Sequence, residues 1–132
     1  MTTTGLTEPQ TEPAAELHAM GRYLDPEQVS GALGLHASAS IAPQASTIDG
    51  ASRTRPGSWV YSTGESFHAA SAEAHLEHLL ELLESRGRAV RRLTSEHCLW
   101  LELPWPPRRS SDDLPLELVE RAIALDLRVK LR

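Results

Sequence analysis

The most regular hydrophobic pattern in the chain lies between Ser71 and Arg86. Four leucines recur there at i, i+3, i+4 and i+7, the spacing of one stripe of an α-helix: Leu76, Leu79, Leu80 and Leu83. The Ser71 hydroxyl can accept a hydrogen bond from a backbone N–H at the helix start, and Gly87 suits the position after the helix end. The pattern therefore predicts an amphipathic helix that the other elements pack against.

Three shorter segments also carry helix signals. In the first, Asp25 suits the N-cap, Pro26 the first helical position and Gly34 the end of the helix. A short helical piece is predicted beyond Gly87, on three apolar residues: Ala89, Val90 and Leu93. The last helix is predicted over residues 116–125, with four residues on its inner face: Leu118, Val119, Ala122 and Ile123.

Four segments have the alternation or the β-branched and aromatic content of strands: 14–21, 58–63, 98–103 and 127–131. Residues 36–56 lie between the first helix and the second strand. They are rich in Ala, Ser, Thr, Gly and Pro without a period, so we predict a long loop, a kind of segment that is often functional. Residues 1–13 are rich in Thr, Glu and Pro and predict a flexible tail before one domain over 14–132.

The order of these elements, β-α-β-α-β-α-β, predicts an α+β fold. Its simplest form is a two-layer sandwich, a four-stranded sheet with helices mainly on one face. A doubly wound α/β sheet is the alternative, but Arg128 and Lys130 indicate a solvated second face. We expect these residues to face the helices: Leu17, Val60, Leu99, Leu101, Leu103, Leu127, Val129 and Leu131. We expect these on the opposite face: His18, Trp59, Tyr61, Cys98, Trp100, Glu102, Arg128 and Lys130.

Four motifs in a fixed order carry a family resemblance: LDPEQVSGALGL, GSWVYST, AHLEHLLELLE and LPLELVERAIALDLRVKL. Together they resemble a bacterial group of small proteins, the domain of unknown function 4279 family, from Ala15 to Leu131. The Pro-rich connection WPPRRSSDD departs from the family's pattern. The resemblance implies a fold, but it brings no assigned reaction, cofactor or catalytic residues.

Composition narrows the class of protein. The 132 residues carry a formal net charge of -5, which argues against a nucleic-acid-binding protein. No apolar run is long enough to span a bilayer, and the start of the chain does not have the pattern of a signal peptide. Cys98 is the only cysteine, so no internal disulfide can form, and a reducing cytoplasm is the expected location.

Few residues have a pattern that suggests catalysis, metal binding or anion binding. His75 and His78, with His68 as a third ligand, could share a metal, but we expect them on a polar outer helix face instead. Cys98 is expected to be half-buried and inert, since His97 must point to the other side of the strand. Four arginines are expected to be a solvated helix end rather than an anion site: Arg86, Arg88, Arg91 and Arg92. Neither a catalytic motif nor a cofactor motif is present, so an enzyme is not the favoured class.

The best candidate for function is the aromatic sheet face. Trp, Tyr and Arg dominate binding hot spots, because they offer a large rigid area with a polar group. The predicted binding residues are Trp59, Tyr61, Trp100, Glu102, Arg128, Lys130 and His18. The sequence thus predicts a non-enzymatic interaction module whose partner is another protein or a second copy of the chain. The alternative is a small-molecule site or enzyme with a pocket between this face and residues 36–56, where His18, Glu102 and Arg128 are polar contacts.

Overall fold

The computed structural model describes residues 14–48, 50–69, 71–104 and 114–132, without the side chains of Ser46 and Ile48. The predicted tail, residues 1–13, lies outside this part. The strands are β1 (Glu16–Gly21), β2 (Ala39–Ile41), β3 (Gln44–Ile48), β4 (Ala51–Arg55), β5 (Gly57–Ser62), β6 (Cys98–Leu103) and β7 (Arg128–Leu131). The helices are α1 (Pro26–Leu33), α2 (Ala72–Glu84), α3 (Gly87–Glu96) and α4 (Leu116–Ala124). Among the described helices, none has the length and apolar character needed to cross a membrane.

The main sheet has five strands in the order β2-β5-β1-β6-β7. All neighbours are antiparallel except β6 and β7, which run parallel. Strands β3 and β4 form a separate two-stranded hairpin. The predicted α+β class is confirmed, but the predicted number of four strands is wrong.

The error in strand number comes from residues 36–56, which we predicted to be a loop and which contain β2, β3 and β4. Strand β2 is only three residues long, and it joins the sheet through pairing with β5, where Ala39 lies opposite Val60. All of β4 is exposed, so the hairpin has no buried apolar face there. The mostly polar and small side chains of these strands do not alternate with apolar ones, so the strands are recognised from cross-strand pairing.

Helix α2 contains the predicted stripe, and its four leucines are at most 1% exposed. Its first turn is capped by Ser71, whose hydroxyl accepts a hydrogen bond from the Ala74 N–H at 3.1 Å. The helix ends at Glu84, two residues before the predicted end, and Gly87 begins α3 instead of following α2. The predicted helical piece beyond Gly87 is thus confirmed.

Most of the features predicted for helices α1 and α4 are confirmed. Asp25 caps α1 by accepting from the Glu27 N–H at 3.0 Å, and Gly34 ends it with a left-handed φ of 67°. In α4, Leu118 and Ala122 are buried, but Ile123 is 63% exposed, against prediction. The inner stripe instead continues by i, i+4 and i+7 through Leu118, Ala122 and Leu125, which turns Ile123 outward.

The two aromatic residues of β5 lie in the core, which contradicts their predicted place on the open side of the sheet. Trp59 is 0% exposed and Tyr61 is 9% exposed. The cause is the strand register, because Leu17 of β1 lies opposite Tyr61, and Ala19 lies opposite Trp59. Paired residues share a face, so Trp59 and Tyr61 join Leu17 beneath the helices, and Val60 turns to the other side. The Trp59 indole N–H donates to the hydroxyl of Ser30 in α1 at 2.9 Å.

A buried polar network joins the main sheet to α2. Thr63 Oγ1 accepts from the Ala15 N–H at 3.0 Å and lies 2.6 Å from Nδ1 of His75. Nε2 of His75 lies 3.3 Å from the carbonyl oxygen of Ala69. A carbonyl oxygen only accepts, so Nε2 donates to Ala69, and in the tautomer with a single proton on Nε2 the Thr63 hydroxyl donates to Nδ1. His75 is therefore fully buried, and its predicted place beside His78 on a polar outer face is wrong.

Replacing Trp59 by alanine should lower the free energy of unfolding by about 3–5 kcal/mol, because it opens a cavity in the core. Urea denaturation measures the loss. Trp100→Ala is the matched control, and it should cost less because that indole is half-buried. Equal losses in the two variants would contradict the placement of Trp59 beneath the helices.

A bidentate ion pair joins α2 to α4. Arg121 Nε donates to Glu84 Oε2 at 2.9 Å, and its Nη2 donates to Oε1 at 2.7 Å. The hydrogen bond from Arg121 lowers the pKa of the Glu84 carboxyl below its ordinary value. Both groups lie near the surface, so the pair contributes modestly to stability.

Glu84→Gln should lower the free energy of unfolding at neutral pH by less than about 1 kcal/mol. Because the folded-state pKa is lowered, this contribution is present above the unfolded-state pKa and is lost as the pH falls through the folded-state pKa. Urea denaturation across pH should show the difference from wild type disappear in acid. Glu81→Gln on the same helix is the control, and a Glu84→Gln deficit that persists unchanged in acid would contradict the assignment.

Candidate functional site

The side of the five-stranded sheet turned away from the helices is called the open face. Its residues alternate along each strand with the buried positions, and each is half-buried or exposed. They are Glu16, His18 and Met20 of β1, Ala39 and Ile41 of β2, Ser58, Val60 and Ser62 of β5, Cys98, Trp100 and Glu102 of β6, and Arg128 and Lys130 of β7.

Trp100 lies on β6 of the open face, between the central strand β1 and the edge strand β7. Its ring stacks on His18, with centroids 5.1 Å apart and planes 13° apart. The Lys130 Nζ lies 4.8 Å from the Trp100 ring centroid, close enough for a cation–π contact. The indole N–H donates to Glu102 Oε2 at 2.9 Å. These contacts from three adjacent strands fix the orientation of the indole ring.

Beside Trp100 lies a carboxylate–histidine cluster, formed by Glu16, His18 and Glu102. Nε2 of His18 is 2.9 Å from Glu16 Oε1 and 3.1 Å from Glu102 Oε2. Arg132 approaches both carboxylates, at 3.6 Å each. The three side chains of the cluster are only 18–24% exposed. An imidazole nitrogen and two carboxylates therefore converge in a partly desolvated place.

The strand register explains why this cluster needs positive charge. Glu16 of β1 pairs directly with Glu102 of β6, and like charges in directly opposed positions destabilise a sheet. His18 follows Glu16 by two residues, so its side chain emerges on the same face. The His18 ring and Arg132 supply hydrogen-bonding partners, and Arg132 supplies the positive charge beside the two carboxylates.

The structure places five of the seven predicted binding residues on the open face: His18, Trp100, Glu102, Arg128 and Lys130. It excludes Trp59 and Tyr61. Sequence reasoning missed Glu16 and Arg132. The signal for Glu16 was present, because it stands two residues before His18 in the same strand.

The predicted pocket between the sheet face and residues 36–56 stays a prediction; that segment forms the edge strand β2 and a hairpin whose strand β4 is exposed. The open face borders a depression elsewhere, where the end of α3 meets β6 and β7. Its lining includes Met20, His97, Cys98, Trp100, Arg128 and Lys130. Of the three predicted polar contacts, His18 and Glu102 converge, and Arg128 lies opposite Trp100 in the register and lines the depression.

The other candidate residues are also placed. Cys98 is exposed rather than half-buried, because it begins β6 on the open face. The four arginines around the start of α3 are all exposed, as a solvated helix end requires.

His78 is half-buried and stacks on Phe67 at a centroid distance of 4.1 Å. Within the described part of the chain, the one set of three or more potential ligand residues in metal-binding range is Glu16, His18 and Glu102.

Comparison with known families matches residues 9–103 to the model of a domain of unknown function, DUF4279. The chain belongs to the DUF4279 family. The match confirms the resemblance seen in the sequence, although it stops at Leu103 and so leaves out α4 and β7. It includes all three residues of the carboxylate–histidine cluster. Neither a curated protein nor a solved structure matches the chain.

In this DUF4279 protein, Arg132→Ala should lower the free energy of unfolding by less than about 1 kcal/mol, since it removes the cation shared by two opposed carboxylates. Adding Glu16→Gln should recover most of that loss, because the repulsion disappears. Urea denaturation of both single variants and the double variant at low salt measures the coupling. Strictly additive losses would show that Arg132 does not stabilise the cluster electrostatically.

Proposed function

We propose that this DUF4279 protein is a non-enzymatic binding module of the bacterial cytoplasm whose open face docks an acidic surface of another protein. The observation that carries the proposal is the basic strip beside Trp100. This strip consists of Arg128, Lys130 and Arg132 at the β7 edge of the sheet. Arg128 and Lys130 are exposed, and Arg132 is 46% exposed.

The charge distribution supports an acidic partner. The chain as a whole has a formal net charge of -5, yet Arg128 and Lys130 are exposed together at one edge of one sheet face, where Arg132 already offsets the charge of Glu16 and Glu102. Local positive charge on an acidic protein attracts carboxylates while the rest of the molecule repels nonspecific anionic surfaces. Arginine suits this contact further, because its planar guanidinium binds carboxylates in a bidentate way.

Trp100 supports a docking role for the same surface. Tryptophan and arginine are enriched at binding hot spots, and the Trp100 ring is already held by His18, Lys130 and Glu102. A fixed ring loses little conformational entropy when a partner covers it. Two exposed apolar side chains extend the surface on the side of Trp100 away from β7: Met20 of β1 is 44% exposed and Ile41 of β2 is 51% exposed.

The basic strip argues against a second copy of the chain as the partner. Two copies that paired through their β7 edges would bring Arg128 and Lys130 close to the same cations of the other copy. Like charges across an interface cost free energy, so a different protein with opposite charge fits better. The exposed thiol of Cys98 supports the cytoplasmic part of the proposal, since a reducing compartment preserves it.

The test compares charge reversals at two places. Three proteins are immobilised: the wild type, Arg128→Glu/Lys130→Glu, and the control Arg88→Glu/Arg91→Glu. Each is exposed to an extract of the native cell at low and at high salt. We expect a partner that binds wild type and the control and that elutes as the salt concentration increases. The amount captured should fall at least about tenfold with Arg128→Glu/Lys130→Glu (the β7 variant) and with Trp100→Ala. Hydrogen exchange with the purified partner should then show protection in β6 and β7.

Two results would overturn the proposal. One is a captured protein that binds the β7 variant and the α3 control equally well. The other is a wild-type dimer in sedimentation that Trp100→Ala dissociates, which would assign the open face to self-association. Circular dichroism of each variant confirms that the fold is retained.

A small anionic molecule is the second candidate, because the depression beside Trp100 contains the two cations Arg128 and Lys130 against one carboxylate, that of Asp126. Such a site needs concave shape with a few convergent polar groups. Purified protein titrated with small carboxylates and phosphate would distinguish the two. Saturable binding of one such probe that Arg128→Ala abolishes would favour the small molecule over the protein partner.

A further inference from the structure

We infer that Glu16, His18 and Glu102 form a binding site for a divalent transition-metal cation, with Zn²⁺ the best match. The inference goes beyond the proposed docking function and does not depend on it, because a metal site can be tested on the isolated chain. It rests on the spacing of the three ligand atoms, their rigid support and the chemistry of one imidazole beside two carboxylates.

The spacing of the ligand atoms matches metal coordination. Zinc binds imidazole nitrogen and carboxylate oxygen at about 2.0–2.2 Å, which puts neighbouring ligand atoms about 3.0–3.5 Å apart. Nε2 of His18 is 2.9 Å from Glu16 Oε1 and 3.1 Å from Glu102 Oε2. All three ligand atoms lie within 4.8 Å of one another. A cation bound to His18 Nε2 would therefore have a carboxylate oxygen of each glutamate close by.

The ligands are held by paired strands and by their neighbours. Glu16 and His18 emerge from one side of β1, and Glu102 lies directly opposite Glu16 on β6. Trp100 stacks on the His18 ring and donates its N–H to Glu102 Oε2. Metal-binding carboxylates and histidines typically have such orienting partners, and loss of a partner weakens metal binding.

The chemistry of the ligands selects the kind of cation. One imidazole with two carboxylates suits zinc and similar transition metals, whereas magnesium and calcium prefer sites built from oxygen alone. Three protein ligands leave a position for water or a further ligand. The three side chains are 18–24% exposed, so a cation can reach the cluster from solvent.

Arg132 allows a test in which a substitution is expected to strengthen metal binding. Its guanidinium lies 3.6 Å from each carboxylate, and its side chain is 46% exposed. It therefore competes with a metal for the same negative charge and can move into solvent when a metal binds. Removing Arg132 should strengthen metal binding, whereas removing any of the three ligands should weaken it.

The experiment uses the full chain without an affinity tag and with Cys98→Ser, so that the exposed thiol cannot bind the probe. Isothermal titration with Zn²⁺, and the absorption spectrum with Co²⁺, measure binding. We expect one site per chain, affinity reduced at least about tenfold by His18→Ala and by Glu102→Gln, and affinity increased by Arg132→Ala. His36→Ala and Glu27→Gln are matched controls outside the cluster and should bind as wild type does.

Three results would overturn the inference: no saturable binding of either metal, an effect of His36→Ala as large as that of His18→Ala, or weaker binding in Arg132→Ala. Circular dichroism of each variant separates a lost ligand from a lost fold. The docking proposal survives each of these results, since it depends on β7 and Trp100 rather than on the metal.

Discussion

The pairing of β1 with strands on both sides is the constraint on which the arrangement of the open face depends. β1 lies in the centre of the five-stranded sheet, between β5 and β6. Leu17 and Ala19 must be buried under the helices, so Glu16 and His18 must emerge on the other side. A slip of one residue would invert every side chain of β1 and expose its apolar set to water. The hydrophobic effect on one side of the strand thus positions the polar residues on the other side.

The helical layer is tied to the same strand by polar contacts. Thr63 follows β5 and accepts from the backbone just before β1, while its hydroxyl donates to the buried His75 of α2. A buried polar group without a hydrogen-bond partner lowers the stability of the fold, so this network favours one position of α2 on the sheet. Packing of the leucine stripe supplies the attraction, and the network limits where the helix can rest.

The sequence predicted the elements whose signal is local, and it failed where the signal is long-range. Apolar spacing and N-cap residues were enough to predict the starts of α1 and α2, although the end of α2 was predicted two residues too late. In β5, by contrast, Trp59, Val60 and Tyr61 are all apolar, so alternation cannot tell which side is buried. Only the pairing of Tyr61 with Leu17 decides it. The contact between Glu16 and Glu102 likewise depends on the register of strands far apart in the chain, although His18 and Glu102 were each selected from the sequence.

The separate hairpin has a consequence for how this chain can change. Strands β3 and β4 pair only with each other in the described sheets, and the side chains of β4 are exposed throughout. Little apolar burial would be lost if the hairpin were shortened, lengthened or changed in sequence, since the five strands of the main sheet pair without it. The hairpin is therefore where this domain can accumulate insertions and where a reporter peptide could be grafted with the least disturbance.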